Sequence, residues 1–181
     1  MRAIMYRINK ISLLILIFIL VSGCRVETQT EDVVLHLSFA TSQDEHRGWA
    51  AATAMVFNYR ERYYSQAHLV EFSDNYFGYE SPSIDDISWL FWELGGLDSY
   101  VTGPLMFGEI RSQLNEGNPI LLQYGGYYGG HYLVLHGYDN QGNVYIHEPG
   151  YGTRVMHYDD LYYRFFHNEG HYWESSLILL N

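Results

Sequence analysis

Apolar positions divide the chain into two kinds of stretch. In the first half they recur at helical spacing; beyond about residue 117 they form short runs bounded by turn residues. Ala50 to Tyr59 predicts a helix, because its alanines supply propensity and Ala54, Met55, Val56 and Phe57 supply an apolar face. Ser65 to Phe72 predicts a second, short helix. Ser83 to Leu94 predicts a third, with Ser83 as cap, Asp86 returning the bond and Gly95–Gly96 as the stop. Phe107 to Gly117 predicts a fourth. A single early strand, Val33 to Phe39, comes before them. Pro119 to Tyr124 and His131 to Tyr138 then read as strands, Asp139 to Gly142 as a turn and Asn143 to Pro149 as the hairpin partner. Thr153 to Tyr158 is a strand, Asp159 to Phe166 a helix capped by Asp159, and His171 to Leu180 the closing strand. Helices first and antiparallel strands later predict an α+β domain, its helical part packed on a C-terminal antiparallel sheet.

The N-terminus adds a compartment. Arg2, Arg7 and Lys10 precede the apolar run "ISLLILIFIL", which is shorter than the roughly 20 residues of a membrane-spanning helix and reads as a signal peptide. "VSGC" (Val21 to Cys24) resembles the lipobox of bacterial lipoproteins; the alternative is an ordinary secretory signal with a chance cysteine. The resemblance implies a signal peptide over 1–23, a lipid-anchored polar linker over 24–33 and a domain over 34–181. It also implies a membrane partner reached through lipid on Cys24, a place in the cell envelope on the periplasmic or extracellular side and, in the case of a Gram-negative cell, the outer membrane, since Arg25 after the cysteine is no inner-membrane retention signal. Cys24 is the only cysteine, so a lipidated chain has no disulfide, thiolate metal site or cysteine nucleophile in its domain. Removing the signal leaves seven basic against 21 acidic residues, a charge near −14, and no lysine. That balance argues against nucleic acid and anionic lipid headgroups as partners, and its plainer meaning is a charge that keeps the protein soluble. The 18 tyrosines suit the walls of a binding cleft or, equally, a half-exposed sheet.

The candidate chemistry is that of a thiol peptidase. Such a site needs a nucleophile at a helix N-terminus, a His as base, a group that orients the His, and an amide donor for the oxyanion. Gln43 lies just before a predicted helix start, and Gly48 sits at that start. His131 opens a strand after "GGYYGG", and Glu148 closes its hairpin partner, so both fall near one open end. The chain resembles the C39-like family of papain-fold cysteine peptidases. In that family a Gln precedes a "CWAA"-type helix, a "GGHY"-like strand carries the His, and a strand ending in Asp-Pro carries the acid. The matching segments are Gln43, "GWAAATAMVFNY", "GGHYLVLHGYDNQGNVY" and "HEPGYG". The resemblance implies a papain-like fold, a vestigial site of Gln43, Gly48, His131 and Glu148, and ligand contacts at Trp49, Gly130 and Tyr132.

Two departures change what that site does. The family's Cys falls on Gly48, which has no side chain, and its Asp falls on Glu148. Ser42 and Thr53 are nearby hydroxyls, but neither occupies the nucleophile position. The expected function is a catalytically inactive domain that binds a peptide or protein. The alternatives are a residual or altered hydrolase using His131 and Glu148, and a structural envelope lipoprotein. Each retained residue also has a plainer reading: Gln43 and Glu148 as loop and turn residues, His131 as a hydrogen-bonded strand residue, Gly48 as a tolerated cap. No cofactor is expected. No metal is expected either, because His46, His131, His136 and His147 lack an H-x-x-x-H or H-E-x-x-H spacing.

Overall fold

The computed structural model describes residues 31–42, 44, 46–78, 82–126, 130–164 and 171–180. The predicted signal peptide, with Cys24, lies outside them. Among the described residues no helix is long and apolar enough to cross a membrane.

The helices are α1 (Gly48–Tyr59), α2 (Gln66–Phe77), α3 (Ile84–Gly95), α4 (Phe107–Asn115) and α5 (Tyr158–Tyr163). The strands are β1 (Val33–Val34), β2 (Ser99–Thr102), β3 (Ile120–Gly126), β4 (His131–Tyr138), β5 (Asn143–Glu148), β6 (Gly152–His157) and β7 (His171–Leu179). They form one antiparallel sheet in the order β2-β7-β3-β4-β5-β6, with β1 pairing with β4 off that path. The fold is α+β, as the pattern predicts, with helices packed on an antiparallel sheet.

The sheet separates two cores, because successive side chains point to opposite faces. Leu121, Tyr132, Val134, Leu177 and Leu179 pack with α1, α2 and α3. Leu122, Tyr124, Leu133, Leu135 and Ile146 pack with Ile110 and Leu114 of α4 and Leu161 of α5. Helix α1 is the centre of the first core. All nine residues from Trp49 to Phe57 are buried, since α2, α3 and β4 all pack on it. Each large apolar side chain so buried contributes about 1.5–3 kcal/mol. The single apolar face predicted for this helix was too narrow.

The predicted capping box of α3 is present, with the Asp86 N–H donating to Ser83 Oγ and the Ser83 N–H to Asp86 Oδ2. The β4–β5 hairpin turns where predicted, shaped by Asp139 Oδ1, which accepts from the Gln141 and Asn143 amides. Four elements differ from expectation. Only Val33–Val34 of the predicted first strand pairs with the sheet. Helix α2 runs on to Phe77, where Gly78 stops it at φ 75°. The short edge strand β2 pairs with the end of β7 and was not foreseen. Helix α5 is capped by His157, which accepts from the Asp159 N–H, rather than by Asp159; residues 165–166 of the predicted helix lie outside the described residues.

Candidate active site

The segment before α1 decides where its N-terminus goes. After pairing with β4, the chain leaves the sheet edge and is held at successive points. The Leu35 N–H donates to the His136 carbonyl, and His136 Nδ1–H donates to the Leu35 carbonyl at 3.0 Å. His147 Nε2–H donates to the Leu37 carbonyl at 3.2 Å. That fixes the His147 tautomer, so its Nδ1 accepts from Thr153 Oγ1–H at 2.9 Å. The Ser42 N–H then donates to the Pro149 carbonyl at 3.0 Å. The bulge at Leu135/Gly137 leaves His136 unpaired in the ladder and helps turn it toward this segment. A Cβ on Gly137 would stand 2.8 Å from the Val33 carbonyl oxygen, so this close approach needs glycine. The rings of His136 and His147 stack at 4.0 Å. Burial first, then His147, push His136 down to about 4; the Leu35 carbonyl opposes this and His36 adds a little. Burial also lowers His147, against the Leu37 carbonyl.

Asp44 shapes the last turn before the helix. Its Oδ1 accepts the His46 N–H at 2.9 Å, its carbonyl accepts the Arg47 N–H, and its carboxylate lies 3.8 Å from Arg47 Nε. Gly48 opens α1 with no side-chain cap at Arg47. A Cβ on Gly48 would meet nothing within 4 Å. Neither packing nor a left-handed backbone requires glycine here. The first-turn amides of a helix have no intrahelical acceptors and carry the positive end of its dipole.

At the open end of the β4–β5 hairpin the last pair is Val134↔His147, so that Leu133 and Glu148 are the next residues on the two strands. His131 lies two residues further along β4 on the same face, so it and Glu148 are diagonal neighbours. The Glu148 side chain is 2% exposed, and its Oε2 lies 3.1 Å from Arg154 Nε. Arg154 in turn lies 5.1 Å over the Tyr151 ring. A buried carboxylate needs such a counter-charge. His131 meets His171 edge to face, with centroids 4.8 Å apart at 87°. Across β3, Tyr124 pairs with His131 and Gly126 with His171, so the two imidazoles meet beside a residue without a side chain. Gly48 starts a helix on the opposite face. The Ser42–Pro149 bond ties the segment before it to the residue that follows Glu148.

The Peptidase_C39 like family matches residues 42–176. The chain belongs to that family. No curated protein matches it. Among solved structures, a C39-like peptidase from Bacillus anthracis is similar at TM-score 0.63 and 13% identity, over 84% of this chain and 98% of that one. The peptidase domain of Streptococcus ComA, a bifunctional ABC transporter of a quorum-sensing pathway, is similar at TM-score 0.58 and 20% identity, over 80% of this chain and 98% of that one. A double-glycine-motif protease from an AMS/PCAT transporter, in complex with the leader peptide, is similar at TM-score 0.57 and 14% identity, over 84% of this chain and 100% of that one. At these identities the likeness shows the fold.

The C39-like fold gives the remaining candidates distinct places. Trp49 is 1% exposed in the α1 core, so it supports the helix start from beneath and has almost no open face for a ligand. Tyr132 is 8% exposed and its hydroxyl donates to the Pro82 carbonyl at 3.0 Å, joining β4 to the loop before α3. Burial, then Asp86 and Glu174, raise its pKa. Gly130 is exposed at the mouth of β4, and a Cβ there would stand 3.2 Å from the Tyr124 carbonyl. Gln43 lies outside the described residues. Thr53 is fully buried within α1. Among the described residues no three His, Cys, Asp or Glu side chains are placed to hold a metal ion; His136 and His147 are instead occupied by backbone carbonyls. A groove on α2, lined by His68, Glu71, Phe72, Asn75 and Tyr76 among others, shares no residue with this site.

Sequence reasoning missed His171 and Arg154. His171 had a signal, since "GHY" occurs twice, at Gly130–Tyr132 and Gly170–Tyr172, each time opening a strand. Arg154 had none, because its pairing with Glu148 depends on the register of β5 against β6.

Proposed function

We propose that this C39-like domain has lost peptide hydrolysis and keeps its cleft to bind a peptide or protein ligand. The observation that carries this reading is Gly48. It stands at the helix start where the family places its thiol, with open space where a Cβ would project, and the only cysteine of the chain is Cys24. Losing the nucleophile costs several orders of magnitude in rate, while the helix N-terminus remains suited to an acyl oxygen or a carboxylate. The solved relative in complex with a leader peptide supports a peptide as ligand. The lipobox-like "VSGC" supports anchoring through Cys24 in the cell envelope; metabolic labelling with a fatty acid, lost in Cys24→Ser, tests that part.

Gly48→Cys tests the site. The new thiol is expected to react with iodoacetamide well below the ordinary cysteine range of about 8.5, and His131→Ala is expected to slow it. A thiol that reacts like a free cysteine, indifferent to His131, sinks the vestigial-site reading. The wild-type chain is expected to bind peptide saturably and release no product; turnover abolished by His131→Ala would establish residual hydrolysis in its place.

A further inference from the structure

The outer surface of α2 and α3 is a second feature of the domain, unrelated to the candidate cleft. Trp89 of α3 is half-buried and stacks on Tyr76 of α2, with centroids 4.2 Å apart at 24°. Phe72 packs parallel to both at 6.1 Å. Tyr76 remains 62% exposed, and Trp92, one turn along α3 from Trp89, is 56% exposed. Asp85, Trp92 and Glu93 are the exposed residues of α3 beside the half-buried Trp89. Glu71 shares the α2 groove with Phe72 and Tyr76. Neither helix carries a Lys or Arg, and no ion pair at Glu71, Asp85 or Glu93 is present among the described residues.

We propose that this surface docks a basic peptide segment of a partner protein, one in which Lys or Arg alternates with aliphatic residues. Exposed tyrosine and tryptophan faces attract ammonium and guanidinium groups, the three carboxylates add opposite charge, and the apolar rings take the aliphatic side chains. Charge also disfavours other occupants. Anionic lipid and nucleic acid are repelled, and a second copy would bring like charges together. This inference does not depend on the fate of the thiol at Gly48.

The test uses the full chain in detergent and a fluorescent dodecapeptide of alternating Lys and Leu, with otherwise identical Glu/Leu and Ser/Leu peptides as controls. The Lys peptide is expected to bind saturably and at least about tenfold more tightly than either control, and to weaken with added salt. Trp92→Ser and the triple variant Glu71→Gln, Asp85→Asn, Glu93→Gln are each expected to weaken it about tenfold, with circular dichroism unchanged. His131→Ala is expected to leave it intact. Equal binding of all three peptides, loss only in His131→Ala, or self-association of the chain as the sole saturable event would each overturn the proposal. A neutral oligosaccharide that binds the patch and displaces the Lys peptide without any effect of the carboxylate substitutions would overturn it as well.

Discussion

His136 and His147 stack nearly parallel, 4.0 Å apart, with their N–H groups tied to the carbonyls of Leu35 and Leu37. His131 and His171 meet edge to face at 4.8 Å at the glycine-bounded end of the same sheet. The first pair fastens the incoming chain to the strands. The second lies at the mouths of β4 and β7, with the buried Glu148 on the neighbouring strand. In sequence the second kind is set apart only by the glycine before it in "GHY", and nothing there shows what each ring meets. Backbone carbonyls within reach mark a structural His, and an open end beside a glycine marks a candidate for chemistry.

Substitution should separate the pairs by stability. His147→Ala leaves a cavity and the Leu37 carbonyl without its donor, and is expected to cost about 2–4 kcal/mol in urea unfolding. His131→Ala, at the strand mouth, is expected to cost less than about 1 kcal/mol. Equal costs would remove the distinction.

Acid should loosen the fastening pair. The pKa values of His136 and His147 are lowered in the fold, so unfolding takes up protons below the ordinary His value of about 6.5. Their contribution is complete above that pH and is lost as pH falls from about 6.5 towards the folded value, about 4 for His136. The loss is at most about 1.4 kcal/mol per pH unit for each group. Thermal melts between pH 7 and 5 measure it. His136→Asn, which keeps a donor for Leu35 and does not titrate, should flatten the profile; an unchanged slope would acquit this histidine.

A smaller effect probes the second pair. In the Gly48→Cys background, His171→Asn is expected to change alkylation of the new thiol by about tenfold or less, which corresponds to about 1.4 kcal/mol. The change should appear as a shift in the pH profile of the reaction, which a merely structural His171 would leave in place. The smallest effect has the opposite sign. Gly48→Ala meets nothing within 4 Å and is expected to stabilise the domain by up to about 1 kcal/mol; a loss of stability would mean that the helix start needs its glycine.

What the sequence showed depended on how local each signal was. The α3 cap, the β4–β5 hairpin and the strand after "GGYYGG" rest on neighbours within a few residues, and all are present as read. The segment from Val33 to Phe39 alternates like a strand, but most of it lies across the sheet under His136 and His147, where burial also follows side-chain alternation. Helix α1 looked amphipathic because its alanines read as neutral; in the fold two helices and strands β3, β4 and β5 all pack on it. The Glu148–Arg154 pair and the bulge that leaves His136 unpaired depend on register, which one sequence does not state. Gly48 is the clearest case: its position was legible, while the free volume around it is a property of the assembled domain.

The fastening of the N-terminal segment also has a mechanical side. A pull on the chain ahead of Asp32 first loads the Asp32 carboxylate on the Asn140 amide, then the Val33–Val34 ladder, then the two imidazole clasps, then the Ser42–Pro149 bond. These attachments lie in series, so tension is taken up along the sheet before it reaches Gly48, and the helix start keeps its position while the chain ahead of it is strained.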